Sequence, residues 1–169
     1  MTDFKKAIPI LTPGNLDNDE QQLLELDYEM FPDQDVKLFI KGQHLIVWTS
    51  YYSKMKKIRR STQEEYPLEA LPWFIDTIEN DFWNYNSDPA VQPGDVSENT
   101  IVDGEKIGIN PMKHCCAENL FGYSLWNASR KDHVTGLPPQ DWQIPKYMLE
   151  DGLLDELKTI STKLGLKSY

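Results

Sequence analysis

Between Val36 and Tyr51 the chain alternates. Val36, Leu38 and Ile40 oppose Lys37, Phe39 and Lys41; after Gly42, Leu45, Val47, Thr49 and Tyr51 oppose His44, Ile46, Trp48 and Ser50. A period of two sends successive side chains to opposite faces of a strand, so this stretch predicts two antiparallel strands turned at Gly42. The basic run Lys54–Arg60 follows as a third strand. Its apolar members, Met55 and Ile58, break the period, which predicts a sheet edge or a bulge guarded by lysine.

Helical spacing governs most of the remainder. Asn15 or Asp17 caps a first predicted helix ending near Met30, with Leu16, Leu23, Leu24, Met30 and Phe31 on its buried side. Pro67, Leu68, Leu71, Phe74, Ile75, Ile78 and Phe82 share one helical face, and Pro72 places the helix proper between itself and about Asn84. Residues 84–98 read as a polar loop. Asp103-Gly104 is a two-residue hairpin signal between apolar runs. Asn110 and Pro111 suit the cap and first position of a further helix closed by Gly122, and "YSLWNA" makes a strand. Pro145 opens a helical stretch interrupted at Gly152. Leu153, Leu154, Leu157, Ile160 and Leu164 line a last helix that ends at Gly165. This mixed order lacks a βαβ alternation and predicts one α+β domain over residues 1–169, with a mainly antiparallel sheet (meander or hairpins) packed by three to four helices.

Composition supports a folded chain: 169 residues, 40% hydrophobic, with five Trp, eight Tyr and six Phe. The first apolar run is broken by Pro9 and Pro13, unlike a signal-peptide core, and no run approaches the roughly 20 apolar residues of a membrane span. Two cysteines, adjacent at 115 and 116, agree with a reducing compartment. The expectation is a cytoplasmic protein with no membrane partner.

Candidate chemistry concentrates in "PMKHCCAENLFG". Adjacent cysteines lack the spacing of a zinc site, and no second pair exists. On the predicted helix Met112, Cys115, Cys116 and Leu120 form one apolar stripe, which places both thiols in a core. His44, on a strand beside a turn, and His133, in "RKDHVTG", read as turn or surface histidines. Acids from Asp17 onward fail the calcium-loop pattern at its fifth and sixth positions, which are Gln21 and Gln22. No GxxxxGK[ST], GxGxxG, GxSxG or HExxH occurs. The sequence therefore assigns no catalytic residue, metal or cofactor.

Charge changes the picture more. The chain carries a formal net charge of -10, yet residues 54–60 hold five basic and no acidic side chains, and residues 61–105 hold eleven acids with no lysine or arginine. Sharing a face, those acids would speed encounter with a basic partner by about 10- to 10³-fold. Lys54, Lys56, Lys57, Arg59 and Arg60 are expected to pair with acids inside the molecule rather than with nucleic acid, because Glu64 and Glu65 reverse the sign at once. The leading expectation is an acidic, non-enzymatic protein-binding module. It would be an antagonist or immunity-type protein that occludes a basic partner such as a nuclease or nucleic-acid-binding protein. Glu64, Glu65, Glu69, Asp76, Glu79 and Asp81 would bind, with Trp83 and Tyr85 as anchors. The alternatives are a small enzyme built from Cys115 or Cys116, His114 or His133 and a carboxylate, or a structural subunit of a phage or secretion assembly.

Overall fold

The computed structural model describes residues 3–83 and 97–167. Two four-stranded antiparallel meanders follow one another, each ending in a helical segment. The first comprises β1 (Glu20–Leu26), β2 (Asp35–Lys41), β3 (His44–Ser53) and β4 (Ile58–Pro67), then α1 (Ala70–Asp76) with a π-helical turn at Thr77–Phe82. The second comprises β5 (Glu98–Val102), β6 (Glu105–Met112), β7 (Gly122–Asn127) and β8 (Gln140–Pro145). Helical turns at Lys146–Met148 and Leu149–Leu153 then lead into α2 (Leu154–Lys163). Both sheets have their strands in chain order, and a proline, Pro67 or Pro145, closes the last strand of each.

The α+β class holds, with two sheets in place of one and two helical segments in place of three to four. One apolar core joins both sheets and both helical segments. Leu38, Leu45, Val47 and Tyr66 from the first sheet meet Ile107, Ile109, Tyr123 and Ile144 from the second, with Phe74, Ile78, Phe82 and Leu157 from the helical segments. Phe82 stacks on Tyr123 at 5.7 Å between ring centroids, and Tyr66 meets Phe74 edge-on at 5.3 Å.

The alternation in β2 and β3 is obeyed, but both faces of this sheet are buried. Phe39, Ile46 and Trp48 point away from the main core and are covered by Leu11, Ile8 and Leu16 of an extended N-terminal strap. A strap outside any ladder must find other partners for its backbone. Leu11 N–H donates to Gln63 Oε1 (3.0 Å), Gln63 Nε2 donates to the Ile8 carbonyl (3.1 Å), and Ile8 N–H donates to Glu65 Oε1 (2.8 Å).

Two predicted helices are strands or bends. The segment expected to run as a helix to Met30 instead contains β1, whose register against β2 shifts between Gln22 and Leu24. The helix expected from Asn110 to Gly122 is the end of β6 followed by a bend. Pro111 pairs opposite Tyr123 in β7, and the β5 register ends at Glu98 opposite Ile109. Pro111 thus lies past that pairing, where a missing N–H costs no ladder bond to β5. The predicted end of the α1 segment at Asn84, and the loop 84–96, lie outside the described residues.

Candidate functional site

Where β4 comes against the second sheet, polar residues separate into an enclosed network and an open cleft. Glu65, Glu105, Arg130, Gln140 and Asn127 are all buried. Arg130 Nε donates to Glu105 Oε1 at 2.5 Å and Nη2 to Glu105 Oε2 at 3.2 Å, a two-pronged contact matched to guanidinium geometry. Its Nη1 reaches Glu65 Oε1 (3.3 Å) and the Lys6 carbonyl (3.0 Å). Gln140 Nε2 donates to Glu65 Oε2 (2.9 Å), Asn127 Nδ2 donates to Glu105 Oε1 (3.0 Å), and His133 Nε2 lies 2.6 Å from Glu65 Oε2. His44 Nε2 lies 3.1 Å from Arg130 Nη2.

These contacts outweigh burial at both carboxylates. Burial alone would raise Glu105, but hydrogen bonds from His44, Arg130 and Asn127 bring it down to about 2. Burial also opposes Glu65, and His133 with the Ile8 N–H brings it below its ordinary value. The hydrogen bond to Glu65 raises His133 in return. Both histidines expected in turns or on the surface therefore join this network. It ties the strap, β4 and the second sheet together.

The cleft lies on the other side of β4, because adjacent residues of a strand point to opposite faces. About 350 Å³ is enclosed by Tyr28, Phe31, Gln34, Val36, Thr49, Glu64, Cys116, Asp141, Trp142 and Gln143. Trp142 Nε1 donates to Tyr28 Oη (2.9 Å), and Tyr28 Oη donates to the Gln143 carbonyl (2.9 Å), which fixes the aromatic wall. Asp141 accepts from Ser124 Oγ and from Gln143 Nε2 (3.2 Å). No basic side chain pairs with Glu64 among the described residues; the charges acting on it are Asp132, Asp141 and Glu65. Burial first, and then those acids, push its carboxyl well above the usual range. The cleft thus holds a half-buried carboxyl that no cation of the described chain neutralises.

The other predicted binding residues are scattered. Glu65 faces inward, in the network. Glu69 is exposed at the start of α1, and Asp81 is half-buried. Asp76 accepts from Asn80 Nδ2 (2.6 Å), and Glu79 is paired with Lys158 from α2, so in the groove between the helical segments Glu79 is already neutralised and Asp76 is hydrogen-bonded. Trp83 packs against the core, and Tyr85 lies outside the described residues. Asp17, Asp19 and Glu20 converge on Lys41 Nζ at 3.7, 3.2 and 3.4 Å, so a lysine occupies that acidic cluster.

The basic run is a projecting arm. Residues 44–50 of β3 pair with β2, but residues 51–53 pair only with 58–60 of β4. Lys54–Lys57 form the tip, with Lys57 left-handed at φ 54°. The expected internal ion pairs are absent among the described residues; Arg59 Nη2 donates to the Asp33 carbonyl (3.0 Å). A hairpin extending beyond its sheet carries these cations away from the acids of the body.

Of the proposed enzyme components, the two thiols lie together and Cys116 shares an open hollow with His114 and Glu118, but His114 Nδ1 accepts from Asn119 N–H (2.9 Å) and makes no hydrogen bond to either thiol among the described residues, while His133 is held by the Glu65 carboxylate. Sequence reasoning missed Arg130, Glu105 and Asp141. Arg130 carried a usable signal as the one arginine outside the basic run, since arginine rather than lysine suits buried carboxylate pairs. No helix among the described residues is long and apolar enough to cross a membrane. No protein-family model matches the chain, and a comparison with curated proteins finds no match.

Proposed function

We propose that this chain is a non-enzymatic protein-binding module that engages a basic partner by receiving one of its lysine or arginine side chains in the Glu64–Asp141 cleft. The observation that carries this reading is Glu64, a carboxyl held beside Asp141 with no cation paired to it among the described residues. Such an arrangement destabilises the unliganded protein, and departures of this kind are the expected mark of a functional site. A cation entering the cleft supplies the missing charge. Asp141 offers a second carboxylate, and the rings of Tyr28, Phe31 and Trp142 offer faces on which a guanidinium or ammonium group can lie. The excess of acids elsewhere, segregated from the arm cations, steers such a partner toward the body. An antagonist that covers a nuclease or another nucleic-acid-binding protein fits this physics, because its partner's working surface is basic.

The test is capture from native extract at low and high salt, with the parent chain and with Glu64→Gln and Asp141→Asn as baits. A basic protein that is retained by the parent at low salt, released by high salt, and weakened by both substitutions supports the reading. Absence of any salt-sensitive basic partner, or equal retention by both variants, overturns it.

A further inference from the structure

The bend 113–119 brings two thiols together that a helix would have splayed, since neighbouring residues on a helix do not face each other. Cys115 Sγ and Cys116 Sγ lie 4.0 Å apart. Cys116 is left-handed at φ 64°, and Asn119 repeats that conformation at φ 60°. A non-glycine residue is strained in this region and persists only where its surroundings hold it. Here the hold is visible. Cys115 N–H donates to the Leu120 carbonyl (2.8 Å), and Cys116 N–H donates to Gln143 Oε1 (3.0 Å).

The two sulfurs are not equivalent. Cys115 is fully buried, 3.8 Å from the Tyr123 carbonyl and packed so closely on Gly122 that a Cβ there would lie 2.6 Å from its sulfur. Cys116 is half-buried and lines both the Glu64 cleft and an open hollow beside His114 and Glu118. Donation from the Cys115 S–H lowers Cys116, and the same bond with burial raises Cys115. One thiol is therefore reachable and activated, and the other is shielded and poised next to it.

We propose that Cys116 is an oxidant-responsive modification site at which a hydroperoxide is reduced and Cys115 closes a disulfide with its neighbour. The Cys116 thiolate attacks the terminal oxygen of the hydroperoxide. The O–O bond breaks, an S–O bond forms, and the departing alkoxide takes a proton from solvent, leaving sulfenic acid. Cys115 then loses its proton to water and attacks the Cys116 sulfur; the S–S bond forms, the S–O bond breaks, and hydroxide leaves as water. Two thiols are oxidised by two electrons, and the hydroperoxide is reduced to alcohol and water.

The sulfurs must close from 4.0 Å to about 2.05 Å. Adjacent Cα atoms, about 3.8 Å apart across a trans peptide, are nearer than the roughly 4.4–6.8 Å usual for disulfides. The bond is consequently strained and returns to thiols under mild reductant. Closure also withdraws Cys116 Sγ from the Gln143 carbonyl, 3.8 Å away, and so alters the cleft wall. This proposal stands independently of what the cleft binds.

The experiment treats the full chain with hydrogen peroxide at neutral pH, with and without dimedone as a sulfenic acid trap, followed by digestion and mass spectrometry. The parent is expected to give a peptide that has lost two hydrogens across Cys115–Cys116, takes up little dimedone, and is restored by glutathione. Cys115→Ser is expected to accumulate the dimedone adduct on Cys116, and Cys116→Ser to slow oxidation at Cys115 by about tenfold or more. The proposal is overturned if the parent traps dimedone as fully as Cys115→Ser does, if Cys116→Ser oxidises at the parental rate, or if neither thiol of the folded parent reacts. If a variant does not fold, the parent decides: loss of two hydrogens across Cys115–Cys116 reversed by glutathione supports the proposal, and a stable dimedone adduct without that loss, or no reaction, overturns it.

Discussion

Replacing Arg130 with methionine removes the one guanidinium that serves both Glu65 and Glu105 while filling similar volume. Both carboxylates then remain enclosed, Glu65 with no exposed side-chain surface and Glu105 with 2%. Breaking a buried pair by deleting one partner costs about 3–5 kcal/mol, because a charge is left behind without compensation. That is a large share of the roughly 5–15 kcal/mol that holds an ordinary domain together. With a urea slope of about 2 kcal/mol per molar for a chain of this size, the unfolding midpoint at pH 7 should fall by about 2 M. The pH dependence identifies the cause. In the parent, Glu105 is held near 2, so its stabilisation is present above the unfolded value of about 4.3 and is lost as pH falls through that interval. In the variant Glu105 loses its guanidinium while its burial remains, and protonation relieves it, whereas His133 and the Ile8 N–H still hold Glu65; the deficit should therefore shrink as pH falls. A deficit under about 1 kcal/mol, or one independent of pH, would show that the network does not lock strap to sheets as described.

Other consequences follow from the same contacts. His133 is raised by Glu65, so its contribution is full below about pH 6.5 and is lost as pH rises through its folded value; the deficit of His133→Ala in urea unfolding should therefore narrow toward alkaline pH. Glu64 is shifted the other way for a carboxyl, and its charge opposes folding above the unfolded value of about 4.3. Glu64→Gln should accordingly raise the unfolding free energy at pH 7 with no gain at pH 3, even as it weakens partner binding. Gly108→Ala drives a Cβ into the Trp126 ring and should cost about 1–3 kcal/mol, with a changed near-ultraviolet circular dichroism spectrum as the indole is displaced. Reversing Lys54, Lys56 and Lys57 together to Glu should change stability by less than about 0.5 kcal/mol by the same unfolding assay, because none of their ammonium groups pairs within the described residues and the Lys56 N–H bond to Ser53 Oγ is made by the backbone.

The parts of the fold visible in the sequence are those that local rules determine. Asp103-Gly104 is a hairpin turn because both residues take positive φ, 47° and 75°, as the two-residue turn requires. The β2–β3 hairpin shows through its period of two, and Gly165 ends α2 in the left-handed region at φ 67°. The misreadings have local causes as well. A register shift at Gln22 and Leu24 gives Leu23, Leu24 and Leu26 a spacing that is neither strand-like nor cleanly helical, and the acids before them resemble a helix start. Pro111 resembles a first helical residue and sits instead where β6 has outrun β5. The site is a different matter. Glu64 and Asp141 are far apart in the chain, and so are Glu65, Glu105 and Arg130; only the approach of β4 to the second sheet unites them. Counting charge pointed to the segment containing Glu64, but it could not distinguish an acid left without a cation from Glu79, which Lys158 neutralises, or from Glu65 one residue away on the opposite face of the strand.

The proton balance of complex formation tests the cleft most directly. With the basic partner recovered at low salt, titration calorimetry across a series of pH values from acid to neutral, in buffers of different ionisation enthalpy, measures protons exchanged on binding. Entry of a cation beside Glu64 favours the charged carboxylate, so the parent should release protons on binding, and Glu64→Gln should bind more weakly with that release abolished. Heats independent of buffer, or the same affinity and proton release in Glu64→Gln, would place the partner elsewhere and contradict the assignment of the cleft.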